Sequence, residues 1–296
     1  MNGSNLNGKR VVSRLCLREI CAFSVPFFLI VNLYASAALA AGQLMIAPTR
    51  VVFEERDRAA QINIVNTGIE TETYRISFVE KVMSKNGDFI TIDKKEVPGK
   101  YSSDMLRYSP RQVILPPGKS QTIRLMLRRP KSLESGEYRS HLYFQNVPKN
   151  SNKSIDKLTS EDQSQVKIEL KPIVGITIPI IVRHGKMSVE SKLDNVTIIK
   201  ATEKSPRNQL AFRINRNGNQ SVYGDLKAKH ITKDGKETVI GRANGVAVYT
   251  NNTFRNVRMA LETDISTLQS GKVVVSYRER PENGGKLLSQ AELLLQ

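Results

Sequence analysis

The sequence predicts an all-β protein built from two β-sandwich domains. Residues 60–66 alternate apolar and polar side chains with a period of two, and similar runs recur along the chain between Asn-Gly, Asp-Gly and Pro-Pro-Gly turns. No segment keeps a helical period with capping residues over several turns. A chain of 296 residues is too long for one ordinary sandwich and suits two.

The expected strands follow one another from the N-terminal third to the end of the chain. In the first half the alternating positions are Ile62 and Ile64, then Tyr74, Ile76 and Phe78, then Ile123, Leu125 and Leu127. In the second half we expect strands at 209–215, 221–231, 246–249 and 257–261, and a hairpin of 272–279 with 286–295. A polar stretch at 149–164 indicates a long loop, and the apolar pattern stops at His184-Gly185-Lys186. We therefore expect domains at 41–184 and 185–296.

The N-terminus has the features of a signal peptide. Four basic residues, Lys9, Arg10, Arg14 and Arg18, precede an apolar stretch at 20–39, which closes on Ala38-Leu39-Ala40. About 20 apolar residues could also anchor the chain in a membrane. The small residues at the end of the stretch favour cleavage near Ala40. We therefore expect residues 1–40 to be a leader and the mature chain to be periplasmic, without stable membrane insertion.

Cysteine content and charge exclude several classes of function. Cys16 and Cys21 both lie in the leader, so the mature chain has no disulfide, thiolate zinc site or cysteine nucleophile. The formal charge is +17, and removing the four basic residues and one acidic residue of the leader leaves +14. An exported chain without a nucleic-acid-binding motif is not expected to bind nucleic acid. Acidic proteins, anionic envelope polymers or simple solvation remain open as explanations of the charge.

Enzyme motifs are missing from the sequence. His141, His184 and His230 are scattered, and there is no H-E-x-x-H, G-x-S-x-G or glycine-rich phosphate loop. We therefore expect neither catalysis nor a metal or cofactor.

The segment 166–183 is the unusual feature of the chain. Its even positions are almost all apolar (Val166, Ile168, Leu170, Val174, Ile176, Ile178, Ile180 and Val182), with Pro172 as the exception. Extended, its 18 residues would span about 60 Å, which is more than one sandwich needs. The segment is either a bent core strand shared by two sheets, or a strand whose first half offers an apolar row to another protein.

Five motifs, in order, resemble the periplasmic pilus chaperones of the chaperone–usher pathway. They are Ala47-Pro-Thr-Arg-Val-Val-Phe53, Asn66-Thr67-Gly68, the run 115–125, Gly136-Glu137 with the run 142–148, and Ile178-Pro-Ile-Ile-Val-Arg183. The resemblance covers about residues 44–184. It implies two immunoglobulin-like sandwiches set at an angle, with a cleft between them. It also implies that the chain gives its seventh strand to unfinished pilus or fimbrial subunits and passes them to an outer-membrane usher.

The resemblance assigns roles to individual residues. Arg50 would bind the C-terminal carboxylate of the subunit, because a guanidinium can form two parallel bonds to a carboxylate. Glu137 and Arg183 would form a charged pair that fixes the angle between the domains. Arg124 lies in a motif that would contact the usher, although it could equally be structural. The candidate donated side chains are Val166, Ile168, Leu170, Val174 and Ile176.

Two positions depart from the family pattern. Pro179 occupies the place of a second cleft cation, which Lys167 or Lys171 would have to replace, and Pro172 removes a backbone donor from the proposed donor strand. These departures keep an alternative open, in which the chain is an immunoglobulin-like adhesive or structural module exposed on the envelope.

Overall fold

The computed structural model describes residues 44–148, 175–203, 205–264, 268 and 270–295, and within them the regular secondary structure is almost entirely β-strand. The leader and most of the proposed donor segment, including Val166, Ile168, Leu170 and Val174, lie outside these residues. The only helical pieces of the described part are two short 3-10 turns, Ser103–Met105 and Pro281–Asn283. None of its helices is long and apolar enough to span a membrane.

The first sandwich contains ten strands in two facing sheets. They are β1 (Leu44–Ala47), β2 (Val51–Phe53), β3 (Ala59–Asn66), β4 (Glu72–Met83), β5 (Phe89–Ile92), β6 (Leu106–Ser109), β7 (Gln112–Leu115), β8 (Ser120–Leu127), β9 (Gly136–Asn146) and β10 (Gly175–His184). One sheet has the order β1-β3-β8-β6, and the other has the order β2-β10-β9-β4-β5 with β7 also on β4. Their inward faces enclose one apolar core, which includes Phe53, Ile62, Leu125, Phe144 and Ile180.

The second sandwich follows after a short link at 185–188. Its strands are β11 (Val189–Ile199), β12 (Gln209–Gly218), β13 (Val222–Thr232), β14 (Glu237–Val248), β15 (Phe254–Ala260), β16 (Gly271–Arg278) and β17 (Leu287–Leu295). They form sheets of order β11-β12-β15 and β14-β13-β16-β17 around a separate core. Sequence analysis missed β11, whose polar and apolar residues do not alternate regularly. The all-β prediction with two sandwiches is confirmed.

Two of the predicted turns meet at one end of the first sandwich. The Asn66 side chain is fully buried, and its Nδ2 donates to the carbonyl oxygens of Glu70 at 2.6 Å and Leu115 at 2.8 Å. The Gly118 N–H, in the Pro-Pro-Gly turn, donates to the Asn66 carbonyl at 2.8 Å. Gly118 has φ +68°, a conformation that favours glycine. The hydrogen bonds of Asn66 and Gly118 therefore connect the end of β3 to β7 and to the turn before β8, and so join the two sheets.

The two sandwiches contact each other through a small apolar cluster. Met83 and Ile181 of the first sandwich pack against Ala247 and Tyr249 of the second, and all four are buried. This cluster is the apolar part of the contact between the sandwiches, and polar groups surround it.

Candidate functional site

The cleft between the two sandwiches has a volume of about 360 Å³ and contains Arg50 in its lining. Arg50 precedes β2, whose Val51 and Phe53 point into the core, so its side chain points the other way, toward the second sandwich. The Arg50 Nη1 donates to the Tyr249 hydroxyl at 3.1 Å. Its Nη2 donates to the Ser221 Oγ at 3.2 Å.

The face of the Arg50 guanidinium is also covered. Its Cζ lies 4.4 Å from the centroid of the Tyr223 ring and 5.5 Å from that of Tyr249. Cation–π contact of this kind stabilises a cation without using its hydrogen-bond donors. Arg50 is therefore held in a fixed position between two tyrosines of the second sandwich.

Glu137 and Arg183, the predicted interdomain pair, face each other across β9 and β10. The Arg183 Nε donates to Glu137 Oε2 at 3.2 Å, while its Nη1 donates to Glu54 Oε1 at 2.8 Å. Glu137 is only 2% exposed. The same Oε2 accepts from the Ser221 backbone N–H at 3.0 Å and from its hydroxyl at 2.9 Å.

Ser221 thus connects the two predicted sites into one network. Its hydroxyl donates to Glu137 and accepts from Arg50, which joins Arg50, Ser221, Glu137, Arg183 and Glu54 across both sandwiches. We call these five residues the charged network. Sequence analysis missed Ser221, Tyr223 and Tyr249, because they lie in the second sandwich, where no motif marks them.

A second polar contact joins the sandwiches at the turn between β4 and β5. The carbonyl oxygen of Met83 accepts from Asn251 Nδ2 at 2.9 Å and Asn252 Nδ2 at 2.8 Å, and that of Ser84 accepts from Asn252 at 3.1 Å. The Asn256 N–H donates to the Lys85 carbonyl at 2.7 Å. We call this set of neutral bonds the amide contact. No feature of the sequence predicted it.

The first half of β10 has an open edge. β10 pairs with β9 along its whole length, but β2 pairs with it only at Ile180–Val182. Within the described residues, Gly175–Pro179 therefore has no strand on that side. Ile178 is buried in the core, whereas Ile176, the one predicted donor residue that the structure describes, is 37% exposed.

Pro179 of β10 lies opposite His141 of β9. Ile181, two residues further along β10, lies opposite Arg139. The Arg139 Cζ is 3.7 Å from the centroid of the Tyr249 ring. Burial, together with the charges of Arg139, Lys81 and Arg50, lowers the pKa of His141 to about 3. Burial also lowers the pKa of Arg139. The outward face of β9 is therefore surrounded by the cations Arg139, Lys81 and Arg50. Lys167 and Lys171 lie outside the described residues.

Arg124 lies away from the cleft. It is exposed on the outer face of β8, between Gln61 of β3 and Ser109 of β6. The structure leaves its predicted usher contact untested.

A larger depression, of about 820 Å³, lies on the outer face of the sheet β14-β13-β16-β17. Two of the lysines that line this depression form ion pairs with neighbouring glutamates. Lys229 pairs with Glu237, with the Nζ and Oε2 atoms 2.6 Å apart, and Lys272 pairs with Glu292 at 3.0 Å. Paired charges of this kind are typical of a solvated sheet face. The described residues contain no group of three or more histidine, cysteine or acidic side chains that could hold a metal.

The first sandwich resembles a known protein family. Residues 43–183 match the family model described as "Pili and flagellar-assembly chaperone, PapD N-terminal domain". No curated protein sequence matches the chain.

Among solved structures, the YadV chaperone is 12% identical, with a TM-score of 0.42 over 85% of this chain and 99% of that one. The CupB2 chaperone of Pseudomonas aeruginosa is 12% identical, with a TM-score of 0.40 over 85% and 100%. A chain of the CsuC-CsuE chaperone-tip adhesion subunit pre-assembly complex from Acinetobacter baumannii is 13% identical, with a TM-score of 0.42 over 84% and 97%. Scores of this size describe a distant likeness of shape. Residues 43–183, which are 141 of the 296 residues of the chain, resemble the N-terminal domain of pili and flagellar-assembly chaperones.

Proposed function

We propose that this protein is a periplasmic chaperone that captures unfinished pilus subunits by strand donation and delivers them to an outer-membrane usher. The observation that carries the proposal is the open edge of β10. Gly175–Pro179 has a free backbone on the side away from β9 within the described chain, beside a cleft that contains Arg50. A free edge of this kind normally invites aggregation, and it is useful where strand addition is the function.

The donated side chains would be the even-numbered row that continues from the core. Ile180 and Ile178 fill the first sandwich, and Ile176 is already partly exposed. Because side chains alternate along a strand, Val174, Leu170, Ile168 and Val166 fall on the same face if the segment stays extended. That row would enter the groove of a subunit that lacks a strand.

Arg50 would anchor the end of the subunit chain. Its guanidinium is fixed in the cleft near the free edge, and a terminal carboxylate could replace the Tyr249 and Ser221 oxygens as its acceptor. The domains 41–184 and 185–296 would then act together, with the second sandwich holding the anchor in position.

The first test is a pull-down from periplasmic extract with the C-terminally tagged protein, followed by mass spectrometry. We expect recovery of one or a few small, β-rich subunits that lack a final strand, and of a chaperone whose first residue is Ala41. Recovery of polysaccharide or lipid alone would favour the adhesive module instead.

The second test changes the donor row. Replacing Val166, Ile168 and Leu170 by Asp should abolish subunit capture, because charged side chains do not enter an apolar groove. The matched control replaces Lys167, Glu169 and Lys171, on the opposite face, by Ser and should still capture. Capture by the Asp variant would mean that another segment is donated.

The third test concerns the anchor. Arg50→Gln should weaken capture by at least about tenfold, because a hydrogen-bonded charge pair contributes on the order of 1.5–3 kcal/mol. Ser221→Ala removes a partner of Arg50 but keeps the guanidinium, and it should retain capture. Equal loss in both variants would make Arg50 a structural residue.

A further inference from the structure

The outward face of β9 carries two side chains with unused hydrogen-bonding groups. Arg139 Nε and Nη1 and both ring nitrogens of His141 are buried and have no hydrogen-bond partner in the described structure. In the part of the chain that the structure describes, only Arg139 Nη2 has hydrogen-bond partners: it donates to the carbonyl oxygen of Lys81 at 3.0 Å and to Asn251 Oδ1 at 3.2 Å. Buried donors without acceptors are rare in native proteins and destabilising, so a cluster of them requires an explanation.

These donors lie beside Arg50. In the sheet, Val51 pairs with Ile180 and His141 pairs with Pro179, so Arg50, Pro179 and His141 occupy adjacent positions on three neighbouring strands. The Tyr249 side chain connects the two arginines, since its hydroxyl accepts from Arg50 and its ring lies under Arg139.

The charge around the cluster favours an anion. Burial and then the charges of Arg139, Lys81 and Arg50 lower the pKa of His141, so its ring is neutral, and it lies in the positive field of these three cations. On the same face of β9, the Glu137 carboxylate already binds Ser221 and Arg183. Glu80, which also acts on Arg139, binds Ser140 with its Oε1 at 2.9 Å. Within the described residues, neither acid forms a hydrogen bond with Arg139 or His141.

Phe89 covers the cluster. Its ring lies edge-on to His141, with centroids 5.3 Å apart, and 6.0 Å from the Tyr249 ring. Phe89 is itself 43% exposed, at the start of the edge strand β5. A half-exposed ring at an edge can turn aside at less cost than a core side chain, and it would then uncover the His141 ring.

We infer that Arg139 and His141 form, with Arg50, a binding site for one carboxylate group beside the cleft, on the side of Arg50 where Tyr249 lies. The site takes the terminal carboxylate of a captured chain, so that β9 supplies the donors that Pro179 of β10 cannot. This inference rests on the proposed function for the identity of the ligand. The chemistry alone would also accept an acidic side chain.

The test uses the exported, ¹⁵N-labelled protein and sodium acetate as the probe, with sodium chloride at equal ionic strength as the reference. We expect acetate to shift the His141 ring signals saturably and to raise the pKa of His141, because an adjacent anion favours the protonated ring. Chloride should do neither. If acetate leaves the His141 signals and pKa unchanged, the inference is wrong.

Variants locate the site. Arg139→Gln should lower the affinity for acetate by about tenfold, because it removes a charged donor. Phe89→Ala should raise the affinity, and it removes no polar contact. Arg111→Gln is the matched control, an exposed arginine 5.7 Å from the Tyr108 ring centroid in the same sandwich, and it should change nothing. If Phe89→Ala leaves the affinity unchanged, or Arg111→Gln lowers it as much as Arg139→Gln, the site is not the one inferred.

Peptides identify the source of the carboxylate. A synthetic peptide with a free C-terminus should compete with acetate, while its C-terminally amidated form should not. Competition by an amidated peptide with an internal Glu, and not by the free C-terminus, would overturn the assignment to a chain end.

Failure of this inference can be told from failure of the proposed function. Subunit capture together with an acetate-insensitive His141 would refute the site and leave the chaperone function intact. Acetate binding without any subunit capture would support the site and refute the proposed function.

Discussion

The charged network and the amide contact connect the same two sandwiches by different chemistry. In the charged network, Glu137 is buried and holds two groups of Ser221 and the Arg183 side chain through one oxygen. In the amide contact, neutral Asn251 and Asn252 side chains bind backbone carbonyls. Breaking a buried charge pair leaves an unpaired charge, whereas losing an amide bond leaves only an unpaired dipole. The charged network should therefore set the relative position of the sandwiches, and the amide contact should add a smaller stabilisation.

The largest effect should come from the centre of the charged network. Glu137→Ala removes the acceptor of Ser221 and Arg183, and we expect it to lower the free energy of unfolding by about 3 kcal/mol. Urea denaturation followed by far-ultraviolet circular dichroism measures this change. If Glu137→Ala lowers the free energy of unfolding no more than Asn252→Ala does, the charged network is not the stronger of the two contacts.

His141 lies near the two contacts and should make stability depend on pH. Its pKa is about 3 in the folded protein and 6.5 without the fold, so the unfolded chain binds more protons between these values. The free energy of unfolding therefore has its full value above pH 6.5, where His141 is neutral in both states, and it decreases as the pH falls toward 3. The expected loss between pH 7 and pH 5 is about 2 kcal/mol. His141→Phe should be less sensitive to pH over this range, and an unchanged dependence would mean that the pKa of His141 is the same in the folded and unfolded protein.

Asn252→Ala tests the amide contact. The Asn252 side chain donates to the carbonyl oxygens of Met83 and Ser84, and we expect a loss of about 1 kcal/mol because neutral hydrogen bonds contribute little net free energy. The same urea measurement applies. A loss equal to that of Glu137→Ala would show that the turn at β4–β5 contributes as much to the interface as the charged network.

The smallest effect should come from the exposed end of the charged network. Glu54 binds Arg183, but its side chain is 57% exposed, so solvent weakens the interaction. Glu54→Gln should change the free energy of unfolding by less than about 0.5 kcal/mol. A loss near that of Glu137→Ala would mean that Arg183 depends on both acids equally.

The sequence predicted the fold better than it predicted the surroundings of the site. Alternation and turn residues predicted the strands because each strand has one buried face, as in β3 and β8. The motifs led to Arg50, Glu137 and Arg183, and the structure brings all three to one cleft, although their roles remain predictions. Ser221, Tyr249 and Asn252 could not be found, because they reach the cleft only through the packing of two sandwiches. That packing joins residues about 170 to 200 positions apart in sequence.

The hydroxyl of Ser221 has a consequence for how the cleft would be filled. A hydroxyl has one proton and two lone pairs, and here the proton goes to Glu137 while a lone pair accepts from Arg50. An incoming carboxylate would therefore take Arg50 from Ser221 and Tyr249 without disturbing the bond to Glu137. Occupation of the cleft would then be an exchange of acceptors on one guanidinium, and the empty and loaded proteins would keep the same angle between their sandwiches.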